Sequence, residues 1–281
     1  FAETAPFPVR LYVNEQNLGS TRNFEKAIGL CEGELIALSD QDDVWLPEKL
    51  RRTEEVLIAG PEIGALFTDA ELVDKDLQPL GKRLWSVIKF DRARQRMVRE
   101  GRAFELLCRY NVVTGATMAF RSKFRDLVLP IPPLDKYIHD GWIALMISAV
   151  ARLAFITEPM ILYRQHPGQQ MSVEWKALPP EESGTDGSFS GLIKAARRTH
   201  PFAEEIRKYD LIHERLIAQG RQYDTRARVA QVRPKIDHLR ARTTLPDSRL
   251  KRVPRVVREL LTMRYHQYSR GLCSAAKDLL H

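Results

Sequence analysis

The sequence predicts an α/β fold, a parallel sheet flanked by helices, with a basic helical extension on its C-terminal side. Three observations predict it. Over the front of the chain, short apolar runs bounded by Gly, Pro and Asn alternate with stretches of helical periodicity, the spacing of βαβ units. The one long apolar zone, residues 141–162, is broken by Arg152, Glu158 and Pro159. A charge at the centre of a membrane span costs about 2.5–3.5 kcal/mol on insertion scales, so this zone reads as a buried helix followed by a strand. The charge is also divided. The 281-residue chain is net +8, yet residues 191–281 hold 21 Lys/Arg against 9 Asp/Glu, which leaves the front at −4. An acidic front and a basic tail predict two parts with different partners. An apolar fraction of 44% is ordinary for a protein with a sizeable core.

The elements follow in order. Residues 10–13 read as a strand and Asn17-Leu18-Gly19-Ser20 as a turn. Ser20 is the expected N-cap of a helix through Cys31, because Phe24, Ala27, Ile28 and Cys31 stand at i, i+3, i+4 and i+7. Gly33 ends it. Residues 34–39 form the next strand, leading into Asp40-Gln41-Asp42-Asp43-Val44-Trp45. A helix from about Pro47 to Ala59 is stopped by Gly60-Pro61. Residues 65–68 are another strand, with Asp69 at its end.

Asp40 and Asp42 carry the first candidate chemistry. They fall past the C-terminal end of a strand, where open α/β sheets place ligands. An extended backbone would point both the same way. Two hard oxygen ligands suit Mg²⁺ or Mn²⁺, which keeps water and substrate phosphates in its shell. The competing reading is a solvated acidic turn. Asp140, ahead of an apolar helix, reads equally as a helix cap or a general base. His166 after the strand at 161–163 reads as a surface or capping residue. Arg164 and Gln165 have the chemistry to bind a diphosphate, Arg through a two-pronged fork.

Several segments together carry a resemblance. Asn17-x-Gly19 with Arg22-Asn23, Gly33-Glu34-Leu35-Ile36 and Ser39-Asp40-Gln41-Asp42-Asp43-x-Trp45 come first. The run Asn111 to Phe120, then His139-Asp140-Gly141-Trp142, then Tyr163-Arg164-Gln165-His166 keep the order. Over roughly residues 9–173 the chain resembles the GT-A domain of glycosyltransferase family 2, and its wording resembles the bacterial rhamnosyltransferase-like branch. The resemblance implies a GT-A (Rossmann-like) mixed sheet and inverting transfer of a sugar, L-rhamnose by its wording, from a nucleoside diphosphate sugar. The donor would be dTDP-rhamnose or a UDP-sugar and the acceptor a hydroxyl of a glycan or lipid-linked glycan. It implies Asp140 as catalytic base, Asp42 and His166 on Mg²⁺ or Mn²⁺, and Asp40, Arg164 and Gln165 on the donor. Thr114, Gly115 and Trp142 would form the wall between donor and acceptor, with Trp45 packing beside them. Pro167-Gly168-Gln169-Gln170 departs from the Gly-Asn-Asn that relatives carry after this His. The resemblance also implies an N-terminally incomplete fold: the strand–helix–strand segment holding the base and ribose would precede Phe1, and without it the strand at 34–39 would keep an unpaired edge.

This organisation gives a GT-A domain over residues 1–175, a Pro/Gly/Ser-rich linker over 176–190, and a basic helical extension over 191–281. In the tail, Leu250, Val253, Val256, Val257, Leu260 and Leu261 interleave with Lys251, Arg252, Arg255 and Arg258. Such helices suit an anionic membrane surface or pack as a basic pair on the catalytic domain. Nucleic acid is not expected, since no helix-turn-helix, zinc or RNA-binding motif is present. Cys31, Cys108 and Cys273 share no ligand spacing and read as core residues of a reducing compartment. The expectation is a cytoplasmic protein, peripheral on the inner membrane face if the tail meets lipid. The rival class is a non-catalytic, truncated domain with a membrane- or partner-binding tail.

Overall fold

The computed structural model describes residues 3–134, 138–166 and 202–280. The expected linker lies outside them. In order come α1 (Gly19–Leu30), β1 (Leu35–Ala37), β2 (Val44–Trp45), α2 (Lys49–Ala59), β3 (Ile63–Val73) and β4 (Pro79–Arg83). Next are α3 (Leu84–Val87), α4 (Arg92–Arg99), α5 (Ala103–Arg109), β5 (Met118–Arg121), α6 (Arg125–Val128), α7 (His139–Val150) and β6 (Arg152–Arg164). The C-terminal helices are α8 (Phe202–Ala218), α9 (Arg226–Thr243), α10 (Arg249–Leu261), α11 (Arg264–Tyr268) and α12 (Leu272–Leu280).

The sheet is mixed, in the order β1-β5-β3-β6-β2 with β4 on the flank of β3. This is the mixed sheet that the resemblance implies, and the parallel sheet expected from the alternation of strands and helices is corrected. β3 and β6 run parallel, whereas β5 runs antiparallel to both β1 and β3, and β2 antiparallel to β6. Alternating elements signal parallel pairing only when each helix is a crossover, and β2 and β5 enter the sheet without one.

Several boundaries also change. Residues 10–13 form no strand: Leu11 is 80% and Val13 82% exposed, with no ladder to take up their backbone groups. Ser20 lies inside α1, not at its cap. The cap position is Leu18, and Asn17 Oδ1 accepts from the Gly19 N–H at 2.8 Å. Asp69 does not end its strand but lies within the eleven residues of β3, 4% exposed. Its Oδ1 accepts from the Ala70 and Trp85 N–H groups at 2.8 and 3.0 Å, which satisfies the buried acid at a point where the register of β3 against β6 shifts. Cys273 is exposed, contrary to a core role, and all three cysteines are free thiols.

The apolar zone resolves as expected into a helix and a strand. α7 is buried along nearly its whole length, from His139 to Ala149. It packs with Phe67, Phe104, Phe120 and Ile161 in one large cluster. Tyr209, Ile212 and Leu216 of α8 and Val232, Ile236 and Leu239 of α9 belong to that same cluster. Arg215 of α8 donates to the carbonyls of Leu127, Leu129 and Pro130 at 2.9, 2.9 and 2.7 Å. The first two described helices of the basic region thus pack on the sheet domain. Val256, Tyr265 and Ala275 of α10–α12 form a small cluster of their own. No helix among the described residues is long and apolar enough to cross a membrane.

Candidate functional site

β1 ends at Ala37, and the Leu38 N–H continues the pairing by donating to the Met118 carbonyl at 3.0 Å. The chain then bends at Gln41-Asp42, so the extended geometry expected between Asp40 and Asp42 is not what forms. β2 turns the chain back against β6, with Val44 opposite Leu162 and Trp45 opposite Ile161. That register delivers the acidic bend to the end of β6. There Asp42 Oδ2 lies 3.0 Å from His166 Nε2, across 124 residues of sequence. The two side chains keep 23% and 30% exposure, so the pair is reachable from solvent.

Arg164 fastens the bend. Its N–H donates to Asp43 Oδ1 at 2.9 Å, its Nε to the Asp42 carbonyl at 2.7 Å, and its Nη1 to the Lys75 carbonyl. These bonds spend two guanidinium donors on main chain, and the fork expected to face a diphosphate is used here to shape the turn. The Gln165 N–H donates to the Val73 carbonyl at 2.8 Å and its Nε2 to the Arg164 carbonyl at 3.0 Å.

Asp140 sits in the first turn of α7, behind the cap position Ile138, and is 1% exposed. It is not the helix cap. Its Oδ1 accepts from Asn111 Nδ2 at 3.1 Å and from the Gly141 N–H at 2.6 Å, and its Oδ2 from the Gly115 N–H at 3.1 Å. Gly115 is needed at that approach, since a Cβ there would stand 2.7 Å from His139 Nε2. His139 is buried and stacks on Phe24 at 4.0 Å. Thr114 is buried too, and its carbonyl accepts from the Thr117 hydroxyl at 2.7 Å. Trp142 faces the core: it is 1% exposed, its Nε1 donates to the Val128 carbonyl at 2.8 Å, and Arg215 lies 5.4 Å from its ring centre. Trp142 therefore packs in the core, on a helix that is buried along nearly its whole length.

Two residues that sequence reasoning passed over join these parts. Tyr163 of β6 is 5% exposed, and its hydroxyl is pushed above its ordinary range first by burial, then by the charges of Asp43, Asp40, Asp140 and Asp42. The acidic bend and Asp140 therefore surround one side chain. Lys49, the first residue of α2, is 1% exposed. Its Nζ donates to the Ala116 carbonyl at 2.6 Å and lies 3.9 Å from the Trp45 ring centre. Burial lowers its pKa from 10.5 to about 7, against the opposing pull of Asp43 and Asp40. Lys49 thereby ties the α2 start to the turn that holds Asp140. One signal was available: a cation in the first turn of a helix opposes the helix dipole, so another interaction must favour it.

A divalent cation fits the accessible pair. One carboxylate oxygen and one imidazole nitrogen converge on the same side of the bend, an acceptable donor set for Mn²⁺ and a smaller one for Mg²⁺. No group of three or more such side chains gathers among the described residues, so the rest of the shell would be water and phosphate.

Residues 1–125 match the family described as Glycosyl transferase family 2. That stretch contains Asp40, Asp42, Lys49, Thr114 and Gly115, while Asp140, Arg164, Gln165 and His166 lie beyond it. An uncharacterized protein of Mycobacterium tuberculosis is 24% identical over 174 residues, 59% of this chain and 44% of its own length. An uncharacterized glycosyltransferase of Nostoc sp. is 25% identical over 166 residues, 58% of this chain and 49% of its own. One of Methanocaldococcus jannaschii is 32% identical over 63 residues, 22% of each chain. The chain thus spans about half the length of the first two relatives.

Proposed function

We propose that this chain carries a glycosyl-transfer site. It would move a sugar, by its wording L-rhamnose, from a dTDP- or UDP-sugar to a hydroxyl of a glycan or lipid-linked glycan with inversion. The observation that carries the reading is the meeting of Asp42 and His166 at 3.0 Å beside a bend fastened by Arg164. The family match over residues 1–125 supports glycosyl transfer as the class of reaction. Asp42 and His166 would hold Mg²⁺ or Mn²⁺, and a cation bound there offsets charge developing on the leaving diphosphate. Asp40, half-buried in the same bend, would face the nucleoside ribose or the water shell of the cation. Gln165 would reach toward the donor from the end of β6.

Asp140 would take the proton of the acceptor hydroxyl as its oxygen attacks the anomeric carbon. Three N–H donors fix its carboxylate in one orientation. At 1% exposure the carboxylate is covered, so this role requires its cover to open when acceptor binds. The same three bonds favour a second reading, in which Asp140 only pins the Thr114–Thr117 turn against α7.

The test is a calorimetric titration of dTDP and UDP into the chain with Mn²⁺, repeated after EDTA. Binding should need the metal, and Asp42→Asn and His166→Ala should each weaken it by about 10–100-fold, the scale of disturbed metal shells. Equal affinity with and without chelator would remove the metal from the reading.

A further inference from the structure

α10 is held firmly on one side and left open on the other. Beneath it, Val256 is fully buried, Glu259 6% exposed and Arg252 9%. Glu259 Oε2 meets His238 Nδ1 at 2.7 Å, and Arg252 Nη1 donates to the Asp278 carbonyl at 3.1 Å. On the outside, Leu250 is 84% exposed, Val253 42%, Val257 43% and Leu261 80%. At the helical advance of about 100° per residue these four fall within an arc of about 80°, so they form one continuous stripe. Exposed Lys251, Arg255 and Arg258 run along one border of that stripe. Among the described residues no carboxylate forms an ion pair with any of these three.

A single exposed Leu needs no explanation. A stripe along a whole helix, bordered by three cations and anchored from below, is a different matter. Water leaves the stripe unsatisfied, and a purely apolar protein groove would desolvate the cations. A headgroup–acyl boundary accepts both: acyl chains take the apolar side chains while phosphates meet Lys and Arg at the same depth. We propose that α10 is a docking face for an anionic lipid surface. Leu250, Val253, Val257 and Leu261 enter the boundary, and Lys251, Arg255 and Arg258 meet the phosphates. The helix lies along the surface, since its thirteen residues extend only about 20 Å. The inference stands apart from the glycosyl-transfer reading, because no residue of the acidic bend takes part.

The experiment is co-sedimentation of the full chain with vesicles of phosphatidylglycerol and phosphatidylcholine, against phosphatidylcholine alone. The chain should bind the anionic vesicles, less so at high salt. The pair Leu250→Ser/Leu261→Ser and the pair Lys251→Glu/Arg258→Glu should each reduce binding about tenfold. All four positions are exposed, so melting should be unchanged, and dTDP titration in parallel reports separately on the other site. No preference for anionic vesicles, or equal binding by both variants, would overturn the proposal. So would a dimer in analytical ultracentrifugation that the Ser pair dissociates without any vesicle binding, which would assign the stripe to a second copy.

Discussion

Two buried clusters of ionisable groups lie in this chain, and they are built on opposite principles. The one joining α9 to α12 is closed. His238 meets Glu259 and the Ser269 hydroxyl at 2.7 and 2.8 Å. Arg242 grips Asp278 through two bonds of 2.7 and 3.1 Å, and Tyr265 donates to the same carboxylate at 2.6 Å. Each acid there has its cation or donor, with Arg242 and Asp278 only 7% and 11% exposed. Around Tyr163 the balance is missing. Four carboxylates act on Tyr163, and only two of them, Asp43 and Asp40, pull on the buried amine of Lys49, whose positive form is itself disfavoured. Arg164 spends its Nε on the main chain of the bend, and the Asp42–His166 pair opens to solvent. Burial of charged groups is common to both clusters and so marks nothing. An excess of one sign with an opening is what a cationic ligand needs.

The contrast breaks most sharply at Asp140. Asp140→Asn should lower turnover by a factor of about 10²–10⁴, the scale of a general base. It should also cost about 1–3 kcal/mol of stability, because an amide NH₂ would face one of three N–H donors. Turnover and melting measured together decide. A variant that melts earlier yet keeps its specific activity reduces Asp140 to a structural pin.

His238→Ala should show the reverse profile. It leaves Glu259 with Arg264 Nη1, at 3.2 Å, as its remaining cationic partner and should cost about 1–3 kcal/mol, while Mn²⁺-dependent dTDP binding per folded molecule stays unchanged. Burial also holds the His238 pKa below its ordinary 6.5. The folded state therefore binds fewer protons than the unfolded one there, and stability falls as pH drops below about 6.5. The variant should lose that acid sensitivity in pH-dependent melts.

Lys49→Met gives the most specific shift. With its pKa at about 7 against 10.5, the folded chain binds fewer protons than the unfolded one between those values. Stability contributed by this group therefore rises with pH across that window. The stability difference between parent and variant, measured by urea unfolding at several pH values, should grow from pH 7 upward. A flat difference would mean that Lys49 titrates as an ordinary lysine.

How much of this was legible beforehand depends on range. The acidic bend, His166 and Arg164 stand out because each sits at the end of an apolar run, a local pattern. The α7–β6 zone was equally plain, since a largely apolar zone of 22 residues with three interruptions admits few readings. β3 was read too short because Asp69 and Glu71 break its apolar run, and only the Trp85 N–H, sixteen residues away, shows how a buried acid is tolerated. Residues 10–13 have strand composition, yet a strand exists only through its partner.

The sequence by itself determined the α/β class, the acidic segment, and the interleaving of apolar and basic residues in α10, because periodicity and short motifs are written within one or two turns of chain. Tertiary structure alone decided the strand order, that α8 and α9 share the core of the sheet, which apolar residues of α10 face outward, and that Lys49 and Tyr163 stand among the carboxylates. Those facts rest on contacts such as Lys49 with Ala116, 67 residues apart, and Asp42 with His166, 124 apart. Strand order and the burial of a charge are set by which distant surfaces meet. A lysine at a helix start looks the same in sequence whether solvent or a carbonyl receives it.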